Sequence, residues 1–502
     1  MTDLIINTKY GPIEGFLEND IIKWYGIPYA KPPLGDLRFR RAVACDPWKD
    51  VKKCIKFGNR PIQFKLRTLL SEKGDSEDCL YLNIWRKNNN VKNLPVYVWI
   101  HGGYLLCYAA HDSIYVDETF ANEGILFVSI GYRLGPLGCF NFSIYNKDAF
   151  DSNCCLSDQI MALKWIKENI AFFGGDPNNI TINGESAGGS SVLALMCCPS
   201  IKGLFQKVIC QSGYPDGNHS SKSNKLLMDM FLEKLNIKPE EAGKIRDLDI
   251  KTLQSATDYV LDNLPRYPGI FWPSFVYDDL LPEDCYASLR NGLASGVKLI
   301  IGTTKNEATM FNKFHECPKN IDEVKKMFEN NGMLDKFEAI EDFYYNKRKG
   351  GDSTPTLNFA TDYMFLIGSI EIADIVSQNN QDVWMYRFDF MPTMTRIMGM
   401  KAMHGIDICG IFNKPDFLLD KLWLFSRPSS KQIIYNTMHN SWINFIKKGN
   451  PNGDHLSVEW EKYDSTKRKT LLIDRNSSLV ENPEKEKIEF WANVIKTHRF
   501  YK

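Results

Sequence analysis

The chain has 502 residues, 44% of them hydrophobic and 24% charged, a balance that supports a large buried core and excludes a disordered or membrane-spanning polypeptide. Its 61 Lys and Arg offset 61 Asp and Glu, and no long run of one sign occurs, so neither a nucleic acid nor a membrane is expected as a partner. Met1 to Ile6 carries no basic patch and no apolar stretch with a cleavage site, which makes the cytoplasm the expected compartment.

In chain order, Val96 to Ile100 and Ile125 to Ile130 are near-continuous apolar runs of the kind a strand covered on both faces requires. Ser157 to Ile166 follows, with Ile160, Leu163 and Ile166 forming a helical stripe behind a Ser/Asp start. A third strand is expected at Ile180 to Ile182 and a fourth at Val208 to Cys210. Asn218 to Asn224 is polar and loop-like, and a charged helical region continues to about Asp262, which could cap the sheet as an insertion. Further strands are expected at Lys298 to Ile301 and Val383 to Tyr386. Strands alternating with helices predict an α/β fold with a largely parallel, doubly wound sheet. No repeat or low-complexity linker interrupts it, so residues 1–502 are expected to form one domain. The thirteen Cys, scattered and including Cys154-Cys155 and Cys197-Cys198, predict reduced thiols rather than a disulfide framework. No CxxC pair or Cys/His cluster predicts a metal site.

Gly184-Glu185-Ser186-Ala187-Gly188 lies between an expected strand and a helix-like run from Ser190. There a Gly-x-Ser-x-Gly lets the backbone bend sharply and leaves the hydroxyl exposed beside helix N-terminal amides. Such a five-residue match arises by chance in roughly one chain of this length in six, so its context carries the signal. A serine hydroxyl needs a base, and the base needs an acid to hold its tautomer. If the order is serine, acid, histidine, the candidate bases include His219, His315, His404, His439, His455 and His498. His404 stands beside Gly405 in a loop after the strand at Val383. Glu307 follows the strand at Lys298 and the turn Gly302 to Asn306, at the strand end where sites of open α/β sheets lie. A surface glutamate and a solvated or core histidine are the plain alternatives. His101-Gly102-Gly103-Tyr104 ends the strand at Val96, where glycines let backbone amides approach a substrate oxygen. A simple turn would explain the glycines equally well.

With these residues in place, the sequence resembles the type-B carboxylesterase/lipase family, which includes cholinesterases, and is closest in character to bacterial para-nitrobenzyl esterases. Phe173 to Gly189 is similar to the family's serine signature and Ser76 to Trp85 to its second signature. Tyr25 to Ala30, Pro32 to Gly35 and Leu37 to Phe39 match the N-terminal pattern, and Trp442 to Asn452 the C-terminal one. The resemblance implies an α/β-hydrolase fold with helical insertions capping the site. It implies Ser186, Glu307 and His404 as a catalytic triad, with Gly103, Tyr104 and Ala187 as oxyanion-hole donors. It also implies ion pairs Arg38 with Glu77 and Arg133 with Asp158, holding loops beside the site. Tyr104 stands where a third glycine is usual, Ala308 replaces a glycine, and Asp407 replaces a glutamate. Cys79 matches a disulfide position whose partner's place falls on Arg60 to Gln63, so that bridge is expected to be absent. Between Pro61 and Asp78 there is no Trp of the kind that binds choline in cholinesterases, which argues against that activity.

The expected function is a serine carboxylesterase that hydrolyses small-molecule esters through an acyl-Ser186 intermediate. No metal, organic cofactor or obligate protein partner is expected. The alternatives are a weak or inactive esterase-like binding protein, for which Tyr104 would speak, and an amidase or lipase using the same triad.

Overall fold

Valines and isoleucines alternate with aromatic residues through Leu94–Ile100, and every side chain from Val96 onward is buried. Such a strand has no solvent face and must lie inside a layered sheet. The computed structural model describes residues 4–64, 74–116, 118–263, 273–282, 285–313, 317–347, 354–379, 382–412 and 418–494. They fall into two units, one drawn from Met1–Val208, Asn218–Asn263 and Pro273–Cys285, the other from Ile209–Gly217 and Tyr286–Lys502.

In the first unit the strands run in the order Gly175–Glu185, Leu94–Ile100, Leu126–Ile130, Tyr81–Lys87, Ile21–Pro28 and Phe16–Glu18. The first two junctions are parallel and the remaining three antiparallel. The parallel pairs are the ones joined through helices, as crossover connections require. The antiparallel strands had no alternating strand-helix signal to announce them.

The helix expected at Ser157 to Ile166 runs over Cys154–Asn169. Asn153, in the left-handed region at φ 53°, precedes it, and its side-chain amide donates to Val276 O at 2.7 Å and accepts from Val276 N–H at 3.0 Å. Part of the stretch read as polar loop is helical, because Ser220 accepts from the Ser223 N–H and starts the helix Ser221–Leu235. A second long helix, Ile250–Asn263, completes the charged region.

In the second unit the order is Lys298–Thr304, Val383–Phe388, Thr470–Ile473 and Ser478–Val480, with two parallel junctions and then an antiparallel one. Lys298–Thr304 extends through residues read as a turn, since Gly302, Thr303 and Thr304 all pair with Tyr386, Arg387 and Phe388. The chain passes from the first unit to the second within the strand Lys207–Gln211. Among the described residues no helix is long and apolar enough to cross a membrane.

Candidate active site

Ser186 sits between the strand Gly175–Glu185 and the helix Ala187–Met196, with φ 60° and ψ −122°. A non-glycine residue holds such angles only where its surroundings force it, and strain of this kind is concentrated at functional turns. The helix N-terminus supplies its own polarity, because the first four amides, Ala187 among them, have no partner within the helix. The flanking residues are small for a steric reason. A Cβ added at Gly188 would meet Ile100 O at 2.1 Å.

The loop after Leu94–Ile100 approaches the serine directly. A Cβ at Gly102 would lie 2.6 Å from Glu185 O and 3.1 Å from Ser186 Cβ, so only glycine allows this approach. Gly103 O accepts from Leu106 N–H at 2.9 Å, Cys107 N–H at 3.0 Å and the Cys107 thiol at 3.3 Å, which pins the loop. Tyr104 and Leu105 then take φ 62° and 57°. The left-handed region costs a side-chain-bearing residue about 1–2 kcal/mol, a penalty that glycine would not carry. Tyr104 is half-buried, while Leu105 and Leu106 are buried. His101 is fully enclosed, and burial pushes its imidazole down to about 3, so the ring is neutral at ordinary pH. Its Nδ1 lies 2.9 Å from Gly102 O, and its carbonyl accepts from Tyr132 OH at 2.6 Å.

The expected acid and base meet in the second unit. His404 Nδ1 lies 2.5 Å from Glu307 Oε2. The other carboxylate oxygen accepts from Ser212 Oγ and from Thr304 N–H, both at 2.6 Å. Glu307 is fully enclosed, so these contacts replace the water it has lost. Phe311 and Phe365 each place a ring centroid 4.9 Å from the His404 ring. The other candidate bases are engaged differently. His219 Nδ1 is 3.2 Å from Ser223 Oγ, His439 Nδ1 is 2.5 Å from Ile411 O, and His455 Nε2 is 2.8 Å from Ser441 Oγ. His315 and His498 lie outside the described residues.

Ser212 was not singled out from the sequence. The signal available was Gln211-Ser212-Gly213 at the carboxyl end of a strand, the same placement that marked Glu307. Gln211 was missed as well. Its amide donates to Asp407 Oδ2 at 3.0 Å, and Tyr386 OH donates to the same oxygen at 2.9 Å. Burial, with Glu307 nearby, pushes the Asp407 carboxyl above its usual range against the opposing pull of these hydrogen bonds and of His404.

Both expected ion pairs are present. Arg38 Nε donates to Glu77 at 2.7 Å, and its Nη1 also donates to the carbonyls of Arg246 and Leu248. Arg133 holds Asp158 through Nε at 2.8 Å, Nη2 at 2.6 Å and its backbone N–H at 3.1 Å. Cys79 is a buried free thiol, and Arg60 pairs with Asp112 and, at 3.5 Å, with Asp75. Among the described residues no group of three or more His, Cys, Asp and Glu could hold a metal ion.

Comparison with known proteins identifies the family and the fold. The model of the carboxylesterase family matches residues 2–491. The chain is 33% identical to a para-nitrobenzyl esterase of Bacillus subtilis (strain 168), covering 97% of this chain and 98% of that one. It is 30% identical to a liver carboxylesterase of Sus scrofa, covering 97% and 91%. A solved para-nitrobenzyl esterase structure superposes with a TM-score of 0.87 at 32% identity, covering 98% and 99%.

Proposed function

Given that the chain belongs to the carboxylesterase family and is a carboxylic ester hydrolase of the α/β-hydrolase fold, we propose that Ser186 is its nucleophile, His404 its general base and Glu307 the acid that orients His404. The observation that carries this assignment is the 2.5 Å contact between His404 Nδ1 and a Glu307 carboxylate fixed by Ser212 and Thr304. With Nδ1 committed to the carboxylate, Nε2 is the nitrogen left to exchange protons with the reacting groups.

In the first step Ser186 Oγ attacks the ester carbonyl carbon while its proton passes to His404. The negative charge that develops on the carbonyl oxygen is met by the amides of Gly103, Tyr104 and Ala187, each worth roughly 3 kcal/mol in the transition state. Collapse of the tetrahedral intermediate breaks the bond to the alcohol, which leaves with the proton from His404, and an acyl-Ser186 ester remains. Water then attacks that ester as His404 takes its proton. The carboxylate departs and Ser186 regains its hydrogen.

Residues 1–502 acting as one catalytic domain belong to the same proposal, supported by one family model matching a single stretch of 2–491. So does a cytoplasmic setting, which the twelve free cysteines among the described residues favour. Incubation with a fluorophosphonate probe tests the nucleophile. Stoichiometric labelling that disappears in Ser186→Ala is expected, whereas no labelling, or labelling that persists in the variant, overturns the assignment.

A further inference from the structure

The segment leading to His404 begins on an apolar surface. Among the large hydrophobic residues at the surface, Phe425 is 80% exposed, Ile397 69%, Leu424 53% and Met398 44%. They come from two neighbouring pieces of chain. The helix Thr393–Ile397 is tied to the Leu424–Ser426 turn by Thr393 N–H donating to Ser426 Oγ at 2.9 Å. Beneath the turn, Trp423 stacks on Phe390 with centroids 5.2 Å apart and meets Tyr435 edge-on at 5.2 Å. The rings inside anchor the turn, while its tip points to solvent. Phe425 does so at φ 62°, a conformation that is a genuine outlier for a bulky residue. Backbone strain and apolar exposure both carry a cost, and among the described residues the 80% exposed Phe425 ring gains little packing to offset it.

The surroundings are basic. Residues 393–402 and 418–431 contain Arg396, Lys401, Lys421, Arg427 and Lys431 against Asp420. Arg396, Lys421 and Arg427 are exposed. The equality of charges over the whole chain, which argues against an anionic surface, conceals this local excess. An apolar tip flanked along the chain by exposed cations fits a surface that is apolar inside and negative at its boundary. A second copy of the chain fits badly, because a two-fold contact through this patch would set the same cations against each other. Two weak signals, insertion and charge, are what reversible attachment to a bilayer requires.

We propose that this tip is a docking site for an anionic lipid surface, with Phe425, Leu424 and Ile397 entering the acyl boundary and Arg396, Lys421 and Arg427 facing the headgroups. Docking there brings the lipid to the segment that runs from Met398 to His404 within the same unit, where Asn306 N–H donates to Ala402 O at 2.9 Å and Thr309 Oγ1 donates to Met400 O at 2.5 Å. Esters dissolved in the bilayer would thereby be concentrated near the base. The attachment is a binding property that holds whether or not Ser186, Glu307 and His404 act as proposed.

Co-sedimentation of the full chain with vesicles tests it. Binding to phosphatidylglycerol mixed with phosphatidylcholine, little binding to phosphatidylcholine alone, and weakening with salt are expected. Lys421→Ser with Arg427→Ser should weaken binding roughly thirtyfold, at about 1 kcal/mol per cation. Leu424→Ser with Phe425→Ser should weaken it about tenfold or more through lost apolar contact. Both double variants should retain wild-type turnover of a water-soluble ester, which shows that they are folded. Absent sedimentation, or binding unchanged by both variants, overturns the proposal. So does concentration-dependent self-association dispersed by the Leu424 and Phe425 changes, which would make the patch a contact between copies.

Discussion

As a proposed oxyanion-hole donor, Tyr104 brings two separable things, an amide hydrogen and an aromatic side chain. If the amide is what matters, Tyr104→Ala should keep kcat on short acyl esters within about tenfold, because alanine meets a similar backbone penalty at φ 62°. Tyr104→Pro removes the donor and cannot adopt the angle, so kcat should fall about a hundredfold to a thousandfold. Equal kcat values for the two variants would rule out an amide role. His404→Ala should lose about ten-thousandfold or more in kcat while its unfolding midpoint stays close to that of the parent. Asp407 makes a prediction about pH. Its folded pKa lies above the unfolded one, so the stability it contributes is present below the unfolded value and is lost as pH rises through the folded value. Asp407→Asn abolishes that titration. The thermal midpoint of the parent should therefore fall relative to the variant as pH rises from acid, with the gap levelling above the folded pKa. A gap independent of pH over that window would falsify the reading.

At the level of elements, Arg133 and Asp158 join the segment after Leu126–Ile130 to the helix Cys154–Asn169 by a buried bidentate pair. Asp158→Asn would strand the guanidinium without its counter-charge, and a loss of about 3–5 kcal/mol should be read from denaturant unfolding. The sequence exposed such elements unevenly. Leu94–Ile100 and Gly175–Glu185 were legible because their apolar runs end in glycine-rich motifs that physical chemistry also demands. Ile21–Pro28 and Tyr81–Lys87 were not, since antiparallel neighbours need no helix between them. Glu307 could be picked out by its place at a strand end, and His404 by its loop beside Gly405 after the strand at Val383 together with the family resemblance. Ser212 shares the strand-end placement but, like Gln211 and Tyr386, was not singled out, because what makes these residues matter is a hydrogen bond to a residue elsewhere in the chain.

Across the whole molecule, thirteen cysteines without a disulfide among the described residues imply a fold that owes nothing to cross-links. Thiol titration in denaturant, without reductant, should count all thirteen, and the unfolding midpoint should not respond to a reducing agent. A count lower by two would reveal a bridge. The two units are also interleaved along the chain, with Ile209–Gly217 belonging to the second although residues on either side belong to the first. That arrangement sets a timetable for synthesis on the ribosome. Ser186, its turn and its helix can fold against completed neighbours once Cys285 has emerged. Ser212 leaves the ribosome 95 residues ahead of the carboxylate it will hold, and Glu307 leaves 97 residues ahead of His404. If Ser186 and His404 act as proposed, the nascent protein carries a formed nucleophile turn for the whole interval before its base exists, and it stays inert towards esters until His404 has emerged.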